Sequence, residues 1–446
     1  MKNILKAIQD IPREKLPKAL LMSSYFFLVI TMFWVLKPMK KGVFASFYKE
    51  GGFNLFGWQM AASQAEQLAK VLNMVMAVIG VVVFTMLARR ITRQKLVFIW
   101  ALFFSACFVV YSGLITNPTG VIAWTFYLFG DFFNTIMVVL FWAFLNDIVH
   151  SEEAKRLYGI IGLGGVLGGW FGSGVVAAFV KKAGKPPLLL ACIGGALLIM
   201  VIAFFVGRIA KKEETAVPAA EESQPKTEMP KKSGAAIEGA KLVFASRYLL
   251  AIVAIVGIYE IVSSIMDFQW TTSVINSVTK ENLSAYFGSV YFVTNSVAVF
   301  VQLFLTSLVM RKFGVGIALL FLPIAALCSS TAFLIFPILM VGNALSVSDN
   351  GLNYSINQSS KEALYVPTTP EVKYRAKAFI DMFVMRFSKA IAVVINLVVT
   401  GAIGLGGIRW LAFASISLLV IWIYAVRYAG RQFRKMTQES TVGIVR

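Results

Sequence analysis

Long apolar runs recur from residue 19 almost to the end of this chain, and they constrain its fold more than any other feature. The first, ALLMSSYFFLVITMFWVL (19–36), comes close to the roughly 20 residues that a helix needs to cross a bilayer. Hydrocarbon offers no water to backbone N–H and C=O groups, so such runs must be helices that bond internally. Further runs lie near 69–88, 96–116, 121–147, 157–180 and 187–207. After a polar interval they resume near 248–270, 286–310, 314–331, 333–358, 377–402 and 408–427. The expected fold is an all-α polytopic membrane protein of about 12 transmembrane helices in two six-helix halves. Composition agrees: 58% of the 446 residues are hydrophobic, 14% are charged and mean hydropathy is +0.75, whereas a soluble domain carries about 25% charged residues.

The polar interval, 208–247, contains KKEETAVPAAEESQPKTEMPKKSG. It is too polar to build a core and is expected to be a flexible linker between residues 1–207 and 248–446. With the N-terminus placed inside, most of the 42 Lys and Arg fall in cytoplasmic segments, so both termini and the linker are expected in the cytoplasm. The net charge of +20 then belongs to topology and lipid headgroups, and no nucleic-acid partner is expected. The start, MKNILKAIQDIPREKLPK, lacks the early apolar core of a cleavable signal.

A charge inside a span costs at least about 2.5 kcal/mol and needs a reason. Lys37 and Lys40, three apart in FWVLKPMKKGVF, share a face at or beyond the outer end of the first helix. They suit an anionic substrate, or they snorkel to the interface. Asp131 and Asn134 lie in YLFGDFFNTIMVVLFW, where the acid faces either a cavity or a structural cation. Glu260 and Asp267 in IYEIVSSIMDFQW are seven apart on one face, as in a lined cavity. Arg386 and Lys389 follow Asp381 in AFIDMFVMRFSKAIAVV and form a basic stripe, for an anion site or an internal ion pair. Asn146 and Asp147 cap or anchor the cytoplasmic end of the fourth helix. The glycines of YGIIGLGGVLGGWFGSG (158–174) follow no strand, so close helix packing or a pivot accounts for them better than phosphate cradling.

The three cysteines, Cys107, Cys192 and Cys328, lie in apolar segments, and His150 is the sole histidine. That excludes a histidine-based metal site or proton relay. There is no Walker motif and no hydrolytic constellation, so neither an enzyme nor a cofactor is expected.

The basic turns LARRITRQKLVF (87–98) and LVMRKFGVGIAL (308–319) resemble degenerate copies of the loop typical of the major facilitator superfamily. Two longer segments are more specific. FWAFLNDIVHSEEAKRLYGIIGLGG (141–165) and KEALYVPTTPEVKYRAKAFIDMFVMRFSKA (361–390) resemble the two signatures of the non-mitochondrial ATP/ADP translocases of plastids and intracellular bacteria. The resemblance implies a major-facilitator-like fold with substrate between its halves, exchange of nucleotides, and a bacterial inner membrane setting. It carries that family's charged positions onto Lys37 and Lys40, onto Asp267 before Trp270, and onto Lys389. The fourth-helix glutamate of the family falls on Gly130, with Asp131 one step along, about 100° around the helix and so off the expected cavity face. Thr271 stands where the family often has lysine, and Arg386 where it has a small or apolar residue.

The leading expectation is a monomeric antiporter for nucleotides or related phosphorylated anions. Lys37, Lys40, Arg386 and Lys389 would hold phosphates, and Asp267 would balance these cations in the empty site. The alternative is a proton-coupled transporter of another organic anion, with Asp131, Glu260 and Asp267 titrating. A membrane partner or sensor that transports nothing is the third.

Overall fold

A computed structural model describes residues 15–149, 151–216, 235–369 and 372–444. It is helical apart from one hairpin. The helices are α1 (Leu16–Tyr48), α2 (Ala62–Ala88), α3 (Arg93–Leu114), α4 (Gly120–Ile148), α5 (Ser151–Ala183) and α6 (Pro186–Ala216), then α7 (Arg247–Ser277), α8 (Lys280–Phe313) and α9 (Val315–Ile335). α10 runs from Leu339–Leu352 through a π turn, Asn353–Asn357, to Gln358–Ala363; α11 (Lys377–Ile403) and α12 (Leu411–Ile444) complete the chain. Eleven helices among the described residues are long and apolar enough to span a membrane. The interrupted, polar α10 stands where the remaining expected span was placed.

Two expected boundaries move. α1 was expected to end at residue 36 but continues through Lys37, Pro38, Lys40 and Lys41 to Tyr48. α2 was expected from residue 69 but begins at Ala62, so Glu66 lies inside it. Both readings stopped at a charge. In the folded chain these charges meet across α1, α2 and α4, which removes the reason to stop. In the interval expected to be a flexible linker, α6 extends to Ala216 and a short helix occupies Ala235–Ala245; residues 217–234 lie outside those described.

The chain divides into two compact units, one formed by Met1–Gln224 with Val278–Asn295, the other by Pro225–Ser277 with Ser296–Arg446. In the first unit, α1 is the centre. Tyr25, Val29, Leu36 and Met39 are buried among Phe104, Phe108, Phe133 and Phe141. α5 lies against α1 at backbone distance: a Cβ on Gly168 would stand 2.5 Å from the Phe27 carbonyl oxygen, and Gly164 and Gly172 meet the carbonyls of Ser23 and Thr31 in the same way. Ser23 Oγ donates to the Ile160 carbonyl at 3.0 Å and Thr31 Oγ1 to that of Gly168 at 3.3 Å. The glycine run of α5 is thus a packing stripe. Between α1 and α2 the strands β1 (Phe53–Leu55) and β2 (Trp58–Met60) pair antiparallel in the register Phe53↔Met60. Their turn places Phe56 and Gly57 at φ 50° and 87°, the two left-handed positions of a tight hairpin.

In the second unit, α7 is central. Trp270 is buried and donates Nε1–H to Asn343 at 3.0 Å, while Gln269 donates to the Ile408 carbonyl at 2.9 Å. Ile252, Phe268, Leu322, Phe333 and Trp422 fill the core. Every π turn among the described residues lies in this unit, at Val301–Thr306, Asn353–Asn357, Val372–Ala376 and Ile380–Val384. Such widened turns re-aim side chains within a helix and are frequent at functional sites.

Candidate substrate sites in the two units

In the first unit, α1 brings Lys40 onto α4 and Lys41 onto α2. Lys40 is 5% exposed. Its ammonium pairs with Asp131 and lies 4.4 Å above the Tyr127 ring. The second oxygen of Asp131 accepts from Asn73 Nδ2. Lys41, also 5% exposed, approaches Glu66 at 3.6 Å, and Lys70 approaches the same oxygen at 3.9 Å. The Tyr127 hydroxyl donates to that oxygen at 2.9 Å. Three donors therefore converge on Oε1 of a carboxylate that is 2% exposed. Lys37 is half-buried, with its ammonium 4.3 Å above Trp34 and 4.7 Å above Tyr291, in cation–π geometry. Asn134 is half-buried one turn along α4 from Asp131.

Asp131 reaches Lys40, contrary to the expectation that its offset would turn it aside. Gly130 shows why: a Cβ there would stand 2.7 Å from Lys40 Cδ. The lysine stem occupies the space a side chain at 130 would need, and the carboxylate beside it takes the pairing role. The cluster holds the ammonium groups of Lys40, Lys41 and Lys70 against the carboxylates of Glu66 and Asp131, with Lys37 one turn before Lys40 on α1. Elsewhere in this unit a cavity of about 230 Å3 is bordered by Thr116, Lys181, Lys185, Glu281 and Ser284. Burial there pushes the Lys185 amine below its ordinary pKa.

In the second unit, Glu260 is 4% exposed and pairs with Lys389 at 3.4 Å, joining α7 to α11. Lys389 thus has Glu260 as an ion-pair partner. Asp267 is half-buried two turns further along α7, and Arg386 is half-buried one turn before Lys389. Asp349 of α10, 3% exposed, accepts from Ser263 Oγ at 2.6 Å. Tyr354, in the π turn of α10, feels the charges of Asp349, Lys389, Glu260 and Asp267 together. Thr271 is fully buried, so the position where the family often carries lysine is closed to solvent here.

Sequence reasoning missed two acids, Glu66 and Asp349. Glu66 was hidden by a helix start placed seven residues too late. Asp349 had a readable signal, an acid within an expected span, in SVSDNGLNYSINQSS (346–360). The second signature segment also has a local role. Glu362 and Lys377 pair at 2.5 Å across its loop, and Arg375 holds Glu238 of the Ala235–Ala245 helix at 2.8 Å.

The helices and their buried charges define a multi-pass membrane protein of transporter architecture. Solved structures agree on the fold. A bacterial homolog of the human lysosomal transporter Spinster, inward-facing and unoccupied, superposes with TM-score 0.53 at 15% identity, over 93% of this chain and 98% of that one. An auto-inhibited POT family peptide transporter gives 0.59 at 13% identity, over 95% and 97%. The inward-open xylose transporter XylE from E. coli gives 0.57 at 11% identity, over 92% and 94%. These are transporters of the major-facilitator type. Within that architecture, the TLC ATP/ADP transporter family matches residues 119–341 and 335–433, and the chain belongs to it. ADP,ATP carrier protein 1 of Chlamydia trachomatis is 25% identical over 70% of this chain and 66% of its own length. ADP,ATP carrier protein 1 of Rickettsia conorii is 20% identical over 99% and 98%. The chloroplastic ADP,ATP carrier protein 1 of Arabidopsis thaliana is 24% identical over 70% of this chain and 54% of its own length. The chain thus matches just under two thirds of the chlamydial carrier.

Proposed function

We propose that this chain is a secondary transporter exchanging nucleotides of the ATP/ADP type, or closely related phosphorylated anions, by alternating access. The observation that carries the proposal is the meeting of several lysines with two buried or half-buried carboxylates in the first unit. Lys40, Lys41 and Lys70 meet Asp131 and Glu66, with Lys37 one turn before Lys40, inside a family whose carriers are named for ADP and ATP. Ammonium groups brought together inside a membrane protein need a reason, and the oxygens of a polyphosphate accept the charge-assisted hydrogen bonds that such groups donate. In this reading Lys37 and Lys40 bind phosphate oxygens, with Asp131 holding Lys40 in the empty protein. Lys389 and Arg386 bind further oxygens, with Glu260 as the resident partner of Lys389. Asn134 and Asp267 border the same sites. The chain works as a monomer in a bacterial inner membrane, with both termini cytoplasmic, and performs no covalent chemistry.

The test is exchange in proteoliposomes. Labelled ADP or ATP outside should enter only when unlabelled nucleotide is loaded inside. No uptake of any nucleotide by folded protein overturns the proposal, and uptake that needs a proton gradient but no internal nucleotide replaces it with a proton-coupled mechanism.

A further inference from the structure

Glu66 sits in surroundings that suit a phosphate oxygen. The Lys41 ammonium at 3.6 Å, the Lys70 ammonium at 3.9 Å and the Tyr127 hydroxyl at 2.9 Å all meet one oxygen. A carboxylate and a terminal phosphate are both anionic oxygen acceptors that such donors bind through charge-assisted hydrogen bonds. Tyr127 also links this nest to Lys40, whose ammonium lies 4.4 Å above its ring. One tyrosine side chain therefore separates the Lys40 position from the nest, a span that adjoining links of a polyphosphate chain can bridge.

We propose that Lys41, Lys70 and Tyr127 form an oxyanion subsite that Glu66 fills in the empty protein and that the terminal phosphate of a nucleoside triphosphate takes over. The inference rests on the reading of the chain as a nucleotide exchanger and assigns one end of the substrate. With a diphosphate bound, Glu66 stays on Lys41 and Lys70. With a triphosphate, the extra phosphate displaces it. The extra contact is offset by the lost internal one, so two substrates of different charge bind with similar strength, as an exchanger working in both directions requires. The start of α8 covers the nest: Phe287 lies 5.4 Å from the Lys41 ammonium, and Ser284 packs on Gly42. Loading requires that segment to withdraw.

The experiment measures equilibrium binding of ADP and of ATP to the full-length protein in lipid nanodiscs. Glu66→Gln removes the internal competitor and should tighten ATP about tenfold relative to ADP, the size of one charge-assisted contact. Lys41→Gln should weaken ATP several-fold more than ADP. Equal shifts for the two nucleotides in both variants overturn the subsite and leave the exchange proposal standing. Should Glu66→Gln fail to fold, Lys41→Gln decides by itself, because equal losses of ADP and ATP overturn the subsite. Failure of the folded wild-type protein to bind either nucleotide defeats the exchange reading, and the subsite with it.

Discussion

Gly130 of α4 and Lys40 of α1 approach so closely that a Cβ on the glycine would stand 2.7 Å from the lysine Cδ. The absence of a side chain at 130 lets the Lys40 stem pass and deliver its ammonium to Asp131 on the next residue. Gly130→Ala should therefore push the stem aside and weaken the Lys40–Asp131 pair. Overpacking of this kind costs about 1–3 kcal/mol. A lowered melting temperature together with reduced nucleotide exchange is the expected result, and an unchanged exchange rate would show that Lys40 finds another path.

Lys389 should couple stability to transport. Lys389→Ala leaves Glu260, which is 4% exposed, without its cation. Stranding a buried partner costs about 3–5 kcal/mol, and the 45% exposure of the Lys389 side chain argues for the lower end or less. The double variant Lys389→Ala/Glu260→Gln should recover most of that stability while exchange stays absent, if Lys389 also binds phosphate. Melting temperature and exchange of both variants separate the two roles, and recovery of exchange in the double variant would leave Lys389 a purely structural partner.

The packing stripe of α5 supplies its own control. Gly162 has open space where a Cβ would go, and Gly168 has the Phe27 carbonyl. Gly162→Ala should be neutral or gain about 0.5–1 kcal/mol, since alanine is the better helix former. Gly168→Ala should force α1 and α5 apart and lower the melting temperature by the equivalent of about 1–3 kcal/mol. Similar melting temperatures for the two variants would contradict the stripe.

The signature pair Glu362–Lys377 spans a loop and is partly exposed, 41% and 31%. Its direct contribution to stability is about 0–1 kcal/mol. Its larger effect should be on the loop it closes: Lys377→Met should raise the rate of proteolytic cutting between Leu364 and Lys377. The charge-swapped double variant, Glu362→Lys/Lys377→Glu, should restore the wild-type rate. Equal cutting of all three proteins would remove the pair from any role in holding that loop.

Much of this was legible from the sequence. Apolar length alone gave the passes, because a bilayer leaves the backbone no alternative to the helix. Lys40 and Asp131 stood out because charge in a span is rare enough to be noticed singly. Their pairing was not legible, because it depends on how α1 and α4 cross, which no residue spacing within one helix reveals. Glu66 was lost for a different reason. Hydropathy places helix ends at charges, yet here helix continues past them, since Lys41, Lys70 and Tyr127 from three helices neutralise the acid. α10 lies where a span was expected near 333–358, and polar residues such as Asp349, Asn353 and Asn357 make it less apolar than the other long helices although its helix continues through them.

The lysines of α1 also set an order for biosynthesis. As α1 leaves the ribosome it carries Lys40 and Lys41 within a membrane-crossing helix, while the carboxylates that receive them arrive later, Glu66 with α2 and Asp131 with α4. Until then the two lysines lack the carboxylates that receive them in the folded chain. A chain truncated after α3 leaves Lys40 without Asp131 and should be degraded faster than the full chain in a pulse-chase measurement.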